Sequence, residues 1–181
     1  MGNMPLHPIV VHFPLVLAIL MPAVILAVIW GQRSKGHGRR AWWIVTGLAA
    51  LLAVTSVISV RTGEADEERV ERVVSESVIH EHEERAELFQ SGAIAFLVLT
   101  LALPVVRSPR IRAGLSAGAM GASILIGALA ISVGHSGGTL VYEHNAAAVY
   151  SGTQFAGTDD RFRKATERDH DDDDDERDHR P

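Results

Sequence analysis

The chain has 181 residues, enough for one domain, and its 17 Lys and Arg against 22 Asp and Glu leave a formal net charge of −5. Hydrophobic residues make up 47% and mean hydropathy is +0.14, averages that conceal a segregation into a few apolar blocks. With no cysteine, the chain is excluded from disulfide frameworks, iron–sulfur ligation, thiolate metal sites and covalent c-type haem attachment.

Four blocks of roughly 20 residues, about 9–30, 41–60, 86–106 and 113–134, hold nearly all the apolar side chains. That is the length a helix needs to cross a hydrocarbon core of about 30 Å. In lipid a helix satisfies its own backbone groups, so valine and isoleucine do not stop these blocks from being helical. The sequence therefore predicts an all-α integral membrane bundle of four up-down helices over residues 1–157. The first block has no basic residue before it and is too long for a cleavable signal peptide. His7-Pro8 opens it in a first-turn position that suits proline. Pro14 and Pro22 fall inside it, freeing the carbonyls of Val10 and Ala18.

Arg33, Lys35, Arg39 and Arg40 fill the link between blocks one and two, and Arg107, Arg110 and Arg112 the link between three and four. Neither link holds an acid. Short basic loops stay in the cytoplasm, which predicts both termini and residues 64–87 outside a cytoplasmic membrane. Val70, Val73, Val74 and Val78 recur among acids at helical spacing, a short amphipathic helix on the membrane surface or an extension of the second span. Gly114, Gly118, Gly121, Ser123 and Gly127 line the fourth span, a pattern for close helix packing or for a flat cofactor. Residues 159–181 hold 11 acids against six Lys and Arg and account for the whole net charge. Residues 158–181 are expected to form a disordered acidic tail, with His170 and His179 solvated.

Six of the nine histidines gather at the predicted outer face: His7 and His12, His80 and His82, His135, and His144. His37 belongs to the basic loop. Singly, each is a polar anchor at a helix end; together they suggest a site. Helical phase puts His82 above Ala86, Phe89, Ala93 and Phe96, facing the bundle, and His80 above Glu84 and Glu87, facing water. His12 lies deepest in its span and is expected to point inward. Gly137 and Gly138 are expected to turn the chain back and bring His135 and His144 to one place. Imidazole without thiolate suits haem iron, copper or zinc. The candidate ligands are His12, His82 and His135, with His7 and His144 beside them. Glu64, Asp66, Glu83 and Glu143 are placed to orient the ring N–H groups.

Leu6-His7-Pro8-Ile9-Val10-Val11-His12-Phe13-Pro14, Gly63-Glu64, His82-Glu83-Glu84-Arg85-Ala86 and Gly134-His135-Ser136-Gly137-Gly138-Thr139-Leu140-Val141-Tyr142-Glu143-His144 together resemble a bacterial family of small four-helix predicted membrane proteins, a domain of unknown function. The similarity covers roughly residues 5–150. Asn145-Ala146-Ala147-Ala148-Val149 departs from the Gly-Val-Gly-Val-like run that usually follows there. The resemblance implies redox company, since the family's domain can occur joined to Rieske or cytochrome modules. The expected function is a b-type cytochrome-like electron carrier binding haem b, served by a redox partner protein on the outer face. Copper or zinc binding, or a cofactor-free accessory subunit of a membrane redox complex, are the alternatives. No nucleophile–base pair marks an enzyme, no motif points to nucleic acid, and homo-oligomerisation stays open.

The charge pattern makes a testable statement. A reporter active only outside the cytoplasm, fused after Gly157, is expected to work, and the same reporter at Gly36 to stay silent; the reverse result overturns the assigned orientation.

Overall fold

The computed structural model describes residues 6–35, 39–144 and 146–149. Among these the chain is all-helical: α1 (His7–Val10), α2 (His12–Lys35), α3 (Trp42–Val70), α4 (Glu76–Ala102) and α5 (Pro109–Tyr142), with 3-10 turns at Arg39–Ala41 and Ala146–Val149. The chain divides into compact units Met1–Ala146 and Ala147–Pro181, and only 147–149 of the second are described. His37, the expected boundary at 157 and the tail at 158–181, with His170 and His179, lie outside the described residues.

Four stretches are long and apolar enough to cross a membrane: His7–Gln32, Trp42–Val70, Glu76–Ala102 and Pro109–Tyr142. The single break between α1 and α2 falls at Val11. Its cause is local, since Pro14 has no N–H to give the Val10 carbonyl, and the next bond, Leu15 N–H to Val11 O, is long at 3.4 Å. α5 starts at Ser108-Pro109, with an extended cap residue and proline in the first turn.

Each helix packs on two others, α2 on α3 and α5 and α4 on α3 and α5, so the four close into a ring. Neighbours are antiparallel: the start of α3 meets the end of α4 where the Thr46 hydroxyl donates to Thr100 O at 3.0 Å. The start of α2 meets the end of α5, where Gly134 comes near Leu15. Ala18, Met21, Ile25, Leu52, Ala93, Phe96 and Ala119 form the central core. The buried Ser56 and Ser123 hydroxyls are satisfied within their own helices, Ser56 on Ala53 O at 2.8 Å and Ser123 on Met120 O at 2.7 Å.

At one end the helices outrun the apolar blocks read from sequence. α3 continues through Val70, residues 71–75 turn, and α4 begins at Glu76, ten residues before its apolar part. The amphipathic stretch is thus shared between two helix extensions rather than lying as one surface helix. Val74 and Ile79 bury there against Leu140 and Ala146, with Val70 and Val78 at the edge. That small apolar cluster lets three helices project together beyond the core.

The small-residue stripe of α5 also divides. A Cβ at Gly127 would lie 3.6 Å from the Ala18 carbonyl oxygen, so α2 and α5 are in backbone contact there. At Gly114, Gly118 and Gly121 a Cβ would meet nothing within 4 Å, so these face away from the bundle. The expectation that the whole stripe packs inward is corrected to Gly127 and its flanks. Gly127→Val is accordingly expected to lower stability by about 1–3 kcal/mol through forced separation of α2 and α5. Gly118→Val should leave thermal unfolding in detergent within about 0.5 kcal/mol of the parent.

Candidate histidine site

The buried face of the first helical stretch runs through Pro14, Ala18, Met21 and Ile25, and His7 is in phase with it. Spacings of seven, four, three and four keep these residues on one side of the helix. His12 is five residues from His7, about 140° further round, and is exposed. The expected inward His12 is therefore corrected: the shallower His7 enters the bundle and His12 faces outward.

On α4 the phase read from sequence holds. His82 is half-buried above Phe89, Ala93 and Phe96, while His80 is exposed and lies 3.4 Å from Glu84 and 4.0 Å from Glu83. On α5 the residue that turns inward is Ser136, and His135 next to it is exposed. Gly137 and Gly138 do not turn the chain. They continue the helix to Tyr142, so His135 and His144 stay over two turns apart along α5 and its end. His144 is half-buried, and its backbone N–H closes on Thr139 O at 3.2 Å.

Two histidines from different helices are brought together, His7 and His82. Their ring centroids are 6.5 Å apart and their planes stand 85° to one another. Each ring lies against a glycine of a third helix. A Cβ at Gly63 of α3 would come 3.1 Å from His7 Cε1, and one at Gly137 of α5 would come 3.2 Å from His82 Cε1. The absent side chains at these two positions make room for the rings.

The hydrogen bonds fix the ring chemistry. His7 Nδ1 lies 2.9 Å from the Ser59 carbonyl, which can only accept, so Nδ1 carries the proton. Thr62 Oγ1, 3.3 Å away, donates its own hydrogen to the same carbonyl at 2.9 Å and offers His7 a second acceptor. His82 Nδ1 lies 2.8 Å from Ser136 Oγ, whose single hydrogen is spent on Val133 O at 3.0 Å. With that hydrogen on Val133 O, Ser136 accepts and His82 Nδ1 is the donor. In both neutral rings Nε2 is then the unprotonated nitrogen, free to bind a Lewis acid.

The carboxylates expected to orient the rings do other work. Glu64 pairs with Arg61 at 3.5 Å, Asp66 with Arg69 at 3.1 Å, Glu83 faces His80, and Glu143 is exposed. A backbone carbonyl and a serine hydroxyl hold the imidazoles instead, partners that keep their polarity without bringing charge into an apolar bundle. Ser59, Thr62, Gly63, Ser136 and Gly137 were outside the expected site. Their signal is phase: each shares a helix face with buried residues of α3 or α5.

Beside His82, α4 and α5 part to leave a cavity of about 230 Å³ lined by Val78, Glu81, His82, Arg85, His135, Ser136 and Thr139. Arg85 and Glu81 form an ion pair on its α4 wall. Among the described residues no group of three or more His, Cys, Asp or Glu converges as a metal cage.

The family described as "Predicted membrane protein (DUF2231)" matches residues 3–149, and the chain belongs to it. No curated protein and no solved structure matches the chain.

Ser136→Ala removes the acceptor of a half-buried N–H and is expected to cost about 1–3 kcal/mol of stability. Thr139→Ala loses only a hydroxyl that bonds its own helix at His135 O, 3.2 Å away, and should sit within about 0.5 kcal/mol of the parent in the same detergent unfolding assay.

Proposed function

We propose that this family member is a b-type cytochrome-like membrane protein in which His7 and His82 hold a haem iron, and that it carries electrons to or from a partner protein. The observation behind the reading is the pair of imidazoles from α1 and α4, each with Nδ1–H anchored and Nε2 uncommitted. The two ring centroids lie 6.5 Å apart, close enough for one bound group to touch both.

Ligand count favours haem over a bare ion. Zinc asks for three or four protein ligands, and among the described residues two imidazoles meet here. A haem iron would need only two ligands from the protein, which His7 and His82 would provide, and the group would supply one-electron transfer rather than bond-making. When bound, the group supplies reversible one-electron chemistry; the chain supplies ligand basicity through Ser59 and Ser136, and an apolar surround from Phe89 and Ala93. If the basic links are cytoplasmic, the site faces outside, where a redox partner would meet it.

Haem content tests the assignment. His7→Ala and His82→Ala should each lose the Soret band in protein purified from haem-replete cells, while His12→Ala, His80→Ala and His135→Ala keep it. Ser136→Ala should weaken haem affinity about 10- to 100-fold. A colourless parent carrying stoichiometric copper or zinc would turn the reading to metal handling; a parent with neither would leave the accessory-subunit role.

A further inference from the structure

We propose that the cavity between α4 and α5 is a binding site for the head group of a quinone. This deepens the haem reading by naming what meets His82, although the binding itself does not require haem.

The cavity's size, charge and position converge on that class. Pockets for drug-sized ligands run from about 300 Å³ upward, so 230 Å³ admits a single ring and little more. The lining carries no net charge: Glu81 and Arg85 neutralise each other. An uncharged ligand is favoured over a phosphate or carboxylate, which would have to compete with Glu81.

Hydrogen-bond commitments set the ligand's polarity. Ser136 and Thr139 spend their hydrogens on Val133 O and His135 O. The donors left over are the further N–H groups of Arg85 on the α4 wall and the imidazole of His135 on the α5 wall. Two donors on opposite walls fit a ring with an acceptor oxygen at each end, with Val78 as an apolar side.

The cavity also lies where α4 changes from charged to apolar sequence, which would set it near the polar boundary of a bilayer. One helical turn further into the apolar part stand Leu88, three residues after Arg85, and Ile131, four before His135. Both are exposed, and they offer a track for a prenyl tail toward the lipid. His82 forms part of the cavity wall, so a head group held there touches one of the two paired imidazoles.

The test uses the full chain in detergent with decyl-benzoquinone as the probe, and reads its Kd and, with an azido-benzoquinone, the site of photolabelling. Labels are expected on peptides from Glu76–Ala102 and Pro109–Tyr142. Thr139→Trp, which fills the cavity, should weaken binding at least about ten-fold, and His135→Leu about ten-fold through one lost donor. Both variants should elute as the parent does on size exclusion and keep its Soret band. Binding by a haem-free parent with these variant effects supports the site and overturns the haem reading alone. No saturable binding, labels elsewhere, parent-like binding by Thr139→Trp, or an anionic phospholipid that the quinone cannot displace would overturn the site.

Discussion

In a bilayer, helices gain little from hiding apolar side chains from each other, because lipid is equally apolar; what sets their separation is how closely backbones can approach. Ala18 over Gly127 is that approach here, with Ala49, Ala93, Ala119 and Ala130 completing a core of small residues between Met21, Leu52 and Phe96. The consequence reaches the far end of the bundle. With the helix axes drawn together, a ring on α1 can lie against Gly63 of α3, and one on α4 against Gly137 of α5. Helices held apart by larger side chains would leave both imidazoles without walls and both Nδ1–H groups without acceptors.

Polar satisfaction then selects the chemistry. An imidazole in an apolar bundle needs its N–H accepted, and the local choice is between a carboxylate and a neutral oxygen. α3 presents the Ser59 carbonyl because Thr62 and Gly63 follow it on the same face; α5 presents Ser136. Neutral acceptors leave the rings uncharged donors of electron pairs. A carboxylate in their place would bring a negative charge into the apolar bundle.

The architecture was legible in the sequence because length and hydropathy are properties of whole segments. Four blocks of about 20 residues became four long helices, and the phase of α4 separated His82 from His80 correctly. The errors came where depth or composition was allowed to stand for phase. His12 is deeper than His7, yet the run Pro14, Ala18, Met21, Ile25 selects His7 for the inside. Gly137-Gly138 has the composition of a turn, but in α5 it continues the helix, and Gly137 is the surface His82 rests on. Gly114, Gly118 and Gly121 have the spacing of a packing face, and only the position of α2 reveals that the face in use is centred further along, at Gly127. Contacts between segments 52 to 55 residues apart, such as His7 with Ser59 and Thr62 and His82 with Ser136, are beyond any local pattern.

The projecting end of the bundle joins these threads. Helices that stopped with their apolar blocks would end near Val60, Ala86 and Gly134, and would lose Gly63, His82 and Ser136 from regular structure. Their continuation is stabilised by the satellite cluster of Val74, Ile79 and Leu140, which contributes burial where the main core has run out. The same extension carries the acids of residues 64–87, so the paired imidazoles sit beneath a charged rim. Apolar walls below, paired imidazoles between and charge above form a graded surface, and a molecule that bound there would need to be amphiphilic or bring its own polar edge. Haem, with propionates on one side of an apolar macrocycle, and quinones, with a polar ring on an apolar tail, both meet that requirement, whereas a hydrated free ion meets it only by shedding its water against two ligands.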